Sequence, residues 1–135
     1  MYKKPVCLLL VLVCLALVAC GKKDDKINSF VNEINSFTDE LVKKVESAST
    51  PSEGVDEAQK LMDSRKADLR EKFNSVKNIG ENQVSEETKK KMKDDFYQDG
   101  VKVGKLTQKY GSDPAVKDKL SKLTQDFLAL FKMEG

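Results

Sequence analysis

From residue 27 onward the apolar residues recur at steps of three and four, and no stretch shows the strict alternation of a half-buried strand. Ile27, Phe30, Ile34, Phe37, Leu41, Val45 and Ala48 fall on one face of a helix expected over about residues 25–48. A second segment, running to about Ile79, turns Ala58, Leu61, Met62, Leu69, Phe73 and Val76 inward. A third carries Met92, Phe96, Val103, Leu106 and Tyr110, and a fourth Val116, Leu120, Leu123, Phe127, Leu130 and Phe131. A helix with a single apolar stripe has to bury it against another such stripe. The fold class expected is therefore all-α, a small antiparallel bundle of four helices.

The breaks between these segments carry helix start and stop chemistry. In Thr50-Pro51-Ser52-Glu53, Thr50 is placed to cap a helix, Pro51 to be its first residue and Glu53 to return the bond in a capping box. Gly54 is expected only to weaken that start. Gly80 sits where a left-handed residue closes a helix. Ser85 precedes Glu86 and Glu87, whose carboxylates suit the positive end of a helix. Gly111 ends the third segment, and Asp113-Pro114 restarts the chain as cap and first helical residue. Connections this short make consecutive helices antiparallel, giving an up-down-up-down bundle of helices roughly 20 to 25 residues long. No internal repeat is present.

The first twenty residues follow another logic. Lys3 and Lys4 precede Pro5 and an unbroken apolar run from Val6 to Ala19, the layout of a signal peptide. The run has 14 residues, whereas a helix rising about 1.5 Å per residue needs roughly 20 to cross a bilayer. It closes on Leu17-Val18-Ala19-Cys20, which resembles the lipobox of bacterial lipoproteins at all four positions. That resemblance implies cleavage between Ala19 and Cys20, a diacylglyceryl group on the Cys20 thiol, and often a further acyl chain on the new amino group. Each buried methylene contributes about 0.8 kcal/mol, so two or three chains anchor permanently. The expected organisation is a signal peptide over 1–19, lipidated Cys20 with a polar tether over 20–26, and a helical bundle over 27–135. Lipoprotein resemblance also implies an address on the outer face of a bacterial membrane. Because Gly21 stands where many inner-membrane lipoproteins keep an aspartate, it implies the outer membrane in an organism that has one.

Cleavage there would leave 116 residues, enough for one core. Lys3 and Lys4 would leave with the signal, so the 24 basic residues fall to 22 against 22 acidic ones. A balanced domain is a poor partner for nucleic acid or for an anionic bilayer surface. Cys7 and Cys14 lie inside the apolar run, so the mature chain could form no internal disulfide. The chain has no histidine. Ser-His-Asp and Cys-His catalysis, Cys/His zinc sites and the Glu-x-x-His di-iron motif are thereby excluded from the mature domain. No calcium loop or phosphate-binding glycine motif occurs either, and no metal or other cofactor is expected.

Two charges interrupt the apolar stripes. At about 100° per residue, Asp99 projects between Met92, Phe96 and Val103, and Arg65 between Ala58, Met62 and Leu69. The natural expectation is an inter-helix Arg65–Asp99 ion pair that fixes register at little net gain in stability, or else a polar ligand site within the bundle. The nearby Asp94 and Asp95 follow Lys89, Lys90, Lys91 and Lys93, a mixed-sign stretch that reads as a solvated helix face. Gly100 and Gly104 suggest a close helix approach or a kink. Tyr97, Val101 and Leu128 project away from the core stripes and could belong to a partner surface.

An enzyme would need a strongly shifted acid-base group in place of the missing histidine and thiol and ranks last, and two functions lead. One is a non-enzymatic interaction or structural module of the cell envelope, with a protein partner and the membrane as its neighbours and no nucleic acid. The other is a helical carrier or sensor holding a small or apolar ligand between its helices, which requires a cavity among the phenylalanines.

Overall fold

The computed structural model describes the backbone of residues 4–132 and the side chains of residues 23–132. Four helices carry the fold: α1 (Lys4–Ser47), α2 (Pro51–Lys77), α3 (Glu86–Tyr110) and α4 (Pro114–Ala129), with a 3-10 turn at Glu81–Gln83 and no strand among the described residues. The domain is an all-α bundle, as the periodicity predicts.

The N-caps form where the sequence places them, although Glu53 does not return the bond that a capping box needs. Thr50 Oγ1 accepts from the Glu53 amide at 3.2 Å, Ser85 Oγ from the Thr88 amide at 3.2 Å, and Asp113 Oδ1 from the Ala115 amide at 2.9 Å. Pro51 and Pro114 each occupy the first turn, where a missing N–H costs nothing. One stop signal behaves differently from expectation. Gly80 is extended, at φ −62° and ψ 142°, and opens the 3-10 turn, while Asn78 closes α2 in a right-handed conformation. No described residue has a positive φ. Polar residues 21–26 are helical and continuous with α1, and Asp24 Oδ1 accepts the Ser85 amide at 3.0 Å. The stretch expected as a polar tether is helical over 21–26.

The four helices pack in the ring order α1–α2–α4–α3. Consecutive helices alternate in direction, as expected, yet α2 and α3 face each other across the diagonal instead of side by side. Cross-helix bonds fix the directions. Asn35 meets Asp95, Asp39 meets Lys102 and Glu46 meets Lys109, so α1 and α3 ascend together. Ser52 meets Lys119 and Gln59 meets Asp126, so α2 and α4 do the same. The cause lies in the connections. Ala48–Thr50 and Gly111–Asp113 are three-residue links that keep their helices adjacent. Residues 78–85 can reach about 26 Å when extended, whereas helices packed at 8–10 Å put a diagonal at roughly 13 Å.

One phenylalanine from each of α1, α2 and α3 and one just past α4 show the same order. Phe30, Phe73, Phe131 and Phe96 form a closed circuit of ring contacts, with centroids 6.2, 5.7, 4.8 and 6.0 Å apart, and Phe127 joins it 5.6 Å from Phe131. Such contacts add about 0.5–1.5 kcal/mol each beyond the area they bury. This layer lies at the end where Asp24 holds Ser85. Away from it the core is aliphatic apart from Phe37, through Ile34, Met62, Leu69, Val103, Leu120 and Leu123, and closes at the far end with Val45, Val55, Leu106 and Val116.

That far end depends on Gly54. A Cβ added there would lie 2.4 Å from the Val45 carbonyl oxygen and 2.7 Å from the Val45 Cα. The α1–α2 hairpin therefore closes backbone on backbone, and the glycine that costs α2 some intrinsic propensity is what lets the helices meet. Gly100 and Gly104 have no such neighbour, since a Cβ at either would meet nothing within 4 Å. They support neither a close approach nor a kink, and α3 runs unbroken through both.

Candidate functional site

Asp99 is carried into the bundle by the register of α3: residues 92, 96, 99, 103 and 106 share one side, and Ser85 fixes where that register begins. The carboxylate is 1% exposed, on the side of α3 that faces α1. Oδ1 lies 3.7 Å from Lys102 Nζ, beyond hydrogen-bond length, while Lys102 itself is engaged at 2.8 Å by Asp39 Oδ1 of α1. Oδ2 has no hydrogen-bond partner. Burial pushes the Asp99 carboxyl up to about 6; Lys102 opposes the shift, and the carboxylates of Asp39 and Asp95 reinforce it.

Around it runs a polar seam between the two parallel helices. Asn35 Nδ2 donates to Asp95 Oδ2 at 3.2 Å, and Lys91 pairs with the same oxygen. Lys91, with help from Asn35, holds Asp95 below the usual carboxylate range. Thr38, fully buried beside this seam, spends its hydroxyl inside its own helix by donating to the Ile34 carbonyl at 2.8 Å. Further along, Val42, Glu46, Lys102, Lys105, Leu106 and Lys109 line an open surface groove of about 590 Å³.

The expected Arg65–Asp99 pair does not form. Arg65 Nη2 bonds Glu33 Oε1 of α1 at 2.7 Å, its guanidinium lies 5.8 Å from the centre of the Phe37 ring, and its side chain remains 34% exposed. Lys72 Nζ reaches the same Glu33 oxygen at 2.8 Å. The reason is topological: Arg65 lies on α2 and Asp99 on α3, across the diagonal, with the core between them. Arg65 instead finds a partner on the adjacent helix, while Asp99 has only Lys102, three residues ahead on its own helix and 3.7 Å away. The i, i+3 spacing of Asp99 and Lys102 was a visible signal; Glu33 was not, because only the packing of α1 on α2 brings it to Arg65.

Chemically, the site is a buried carboxylate with an exposed lysine and aspartate at its rim, and no hydroxyl of a described residue bonds its free oxygen. Among the described residues no group of three or more histidine, cysteine, aspartate or glutamate side chains is placed to hold a metal ion. Where a carrier would need space, the phenylalanine circuit is closed ring on ring. A second groove, of about 320 Å³ beside Lys26, Phe30, Glu33 and Lys72, is likewise open at the surface. Ala19 and Cys20, where the sequence places cleavage and lipidation, lie outside the described side chains. No helix among the described residues is long and apolar enough to cross a membrane. Comparison of the chain with family models, with curated proteins and with solved structures finds no match.

Proposed function

We propose that this protein is a lipid-anchored interaction module of a bacterial cell envelope, held at a membrane by acyl chains on Cys20 and acting by binding another protein. The observation that carries the reading is Leu17-Val18-Ala19-Cys20 at the end of a 14-residue apolar run, directly ahead of a helical bundle. Two features support binding over turnover. The chain lacks histidine, and the one deeply buried titratable group among the described residues, Asp99, has no catalytic companion. The filled aromatic layer favours a module that works through its outer faces over one that encloses a ligand.

The anchor is tested by feeding cells an alkyne-tagged fatty acid and reading incorporation into the full chain and its Cys20→Ser variant. Labelling confined to the parent chain, with the protein in the membrane fraction, is expected. Labelling that persists in Cys20→Ser overturns the assignment.

A further inference from the structure

Given acyl chains on Cys20, as proposed above, a short path decides which part of the bundle lies nearest the bilayer. Asp24 is four residues past Cys20. A fully extended chain could part the two by only about 14 Å, and the α1 helix, continuous here, parts them by about 6 Å. Asp24 is in turn fixed to the bundle, since its Oδ1 accepts the amide of Ser85, the residue that caps α3, at 3.0 Å. Three residues further on, Ile27 is already buried in the core. The path from the lipid to residues 78–85 therefore has no slack to let that end of the bundle swing away.

The opposite end is remote. α1 rises about 35 Å from Asp24 to Ser47, and the links Ala48–Thr50 and Gly111–Asp113 lie at that height. The flanks offer nothing that would lay the bundle down, because a helix lying in the interface needs an apolar face, or a basic cluster above anionic lipid. The helix that carries the anchor instead exposes Asn32, Ser36, Asp39 and Glu40. The lysines beside it are spent on its carboxylates, Lys72 on Glu33, Lys102 on Asp39 and Lys109 on Glu46. The exposed large apolar residues, Tyr97 and Leu128, stand on α3 and α4. Because α4 lies across the bundle from α1, a bilayer that met Leu128 would stand away from the anchored helix.

The near end suits headgroups and not acyl chains. Its apolar residues Ile79 and Val84 pack against the core, while Asn82 and Gln83 are exposed at the turn. Charges of both signs stand around them, Lys26, Lys77 and Lys89 with Asp25, Glu81 and Glu87; carrying these into hydrocarbon would be costly.

Resting on the anchor reading, we infer that the bundle stands end-on, with the turn Glu81–Gln83 and its flanks seated on the phospholipid headgroups. The links at 48–50 and 111–113 are then held about 35 Å out, at the end left open to a protein partner.

The mature chain would keep no cysteine but Cys20, whose thiol the lipid occupies, so an introduced cysteine is the one thiol free to take a fluorophore. The test labels Gln83→Cys at the near end, Ser36→Cys and Ser64→Cys on the flanks, and Ser49→Cys and Ser112→Cys at the far end. Each full chain is purified from membranes, shown by circular dichroism to keep its helices, and reconstituted in phosphatidylcholine vesicles that carry a nitroxide on the headgroup or deep in the acyl chain. Asn82→Cys repeats the near-end measurement. Quenching by the headgroup nitroxide should be several-fold stronger at Gln83→Cys than at any other labelled position outside the turn, and stronger there than quenching by the acyl-chain nitroxide. Equal quenching at Ser36→Cys or Ser64→Cys means a bundle lying on its side and overturns the inference. Stronger quenching at Ser49→Cys or Ser112→Cys overturns it too, as does deeper insertion of the turn. Intact mass reports the acyl chains in every sample. Their absence overturns the anchor reading itself, whereas a lipidated chain with the wrong order of quenching overturns the end-on seat alone.

Discussion

Replacing Asp99 by asparagine should stabilise this protein at neutral pH, although it changes a buried charged side chain that approaches a lysine. The carboxyl titrates at about 6 in the fold against 3.8 for an unburied one. At about 1.4 kcal/mol per pKa unit, ionised Asp99 opposes folding by up to about 3 kcal/mol well above pH 6. Its Lys102 neighbour is too distant, at 3.7 Å, and too occupied by Asp39 to compensate. The sign follows from proton binding. Between 3.8 and about 6 the folded chain holds a proton that the unfolded chain has released, so stability rises as pH falls through that window and is lost as pH climbs past 6. Asparagine keeps the shape without the charge. Asp99→Asn should therefore gain about 1–3 kcal/mol at pH 7.5, and the gap between parent and variant should shrink toward pH 4.5. Urea unfolding followed at 222 nm across pH 4.5–8 reads both. A variant less stable than its parent at pH 7.5, or a gap that does not change with pH, would refute the argument that Asp99 is a buried and poorly compensated charge.

Gly54→Ala should destabilise the fold by about 1–3 kcal/mol or more, as overpacking does, because the new methyl would lie 2.4 Å from the Val45 carbonyl oxygen; thermal melts measure it, and an unchanged midpoint removes the close-approach argument. Gly104→Ala should do the opposite and add about 1 kcal/mol, since nothing lies within 4 Å of the added carbon; a loss of stability would mean that the space is filled. Glu33→Gln removes the one carboxylate that Arg65 and Lys72 share. It should cost about 1 kcal/mol at low salt and less in molar salt, because the groups are partly exposed and screened; a cost that salt does not reduce would place the interaction in packing instead.

The sequence alone determined what local chemistry dictates. Steps of three and four placed the four helices. Thr50, Ser85 and Asp113 set their starts through bonds to amides two or three residues ahead. The same periodicity put Asp99 in the core and left Tyr97 and Leu128 outside it. All of this follows from the pitch of a helix and from backbone groups within one turn. What the tertiary structure decided is which stripe meets which. An eight-residue connection permits α2 and α3 to be neighbours or diagonal, and no local preference chooses between them. That choice sends Arg65 to Glu33 and leaves Asp99 with one distant lysine. Gly54 makes the same point at atomic scale: within its own helix it is a weak residue, and only the approach of Val45 from another helix makes it necessary.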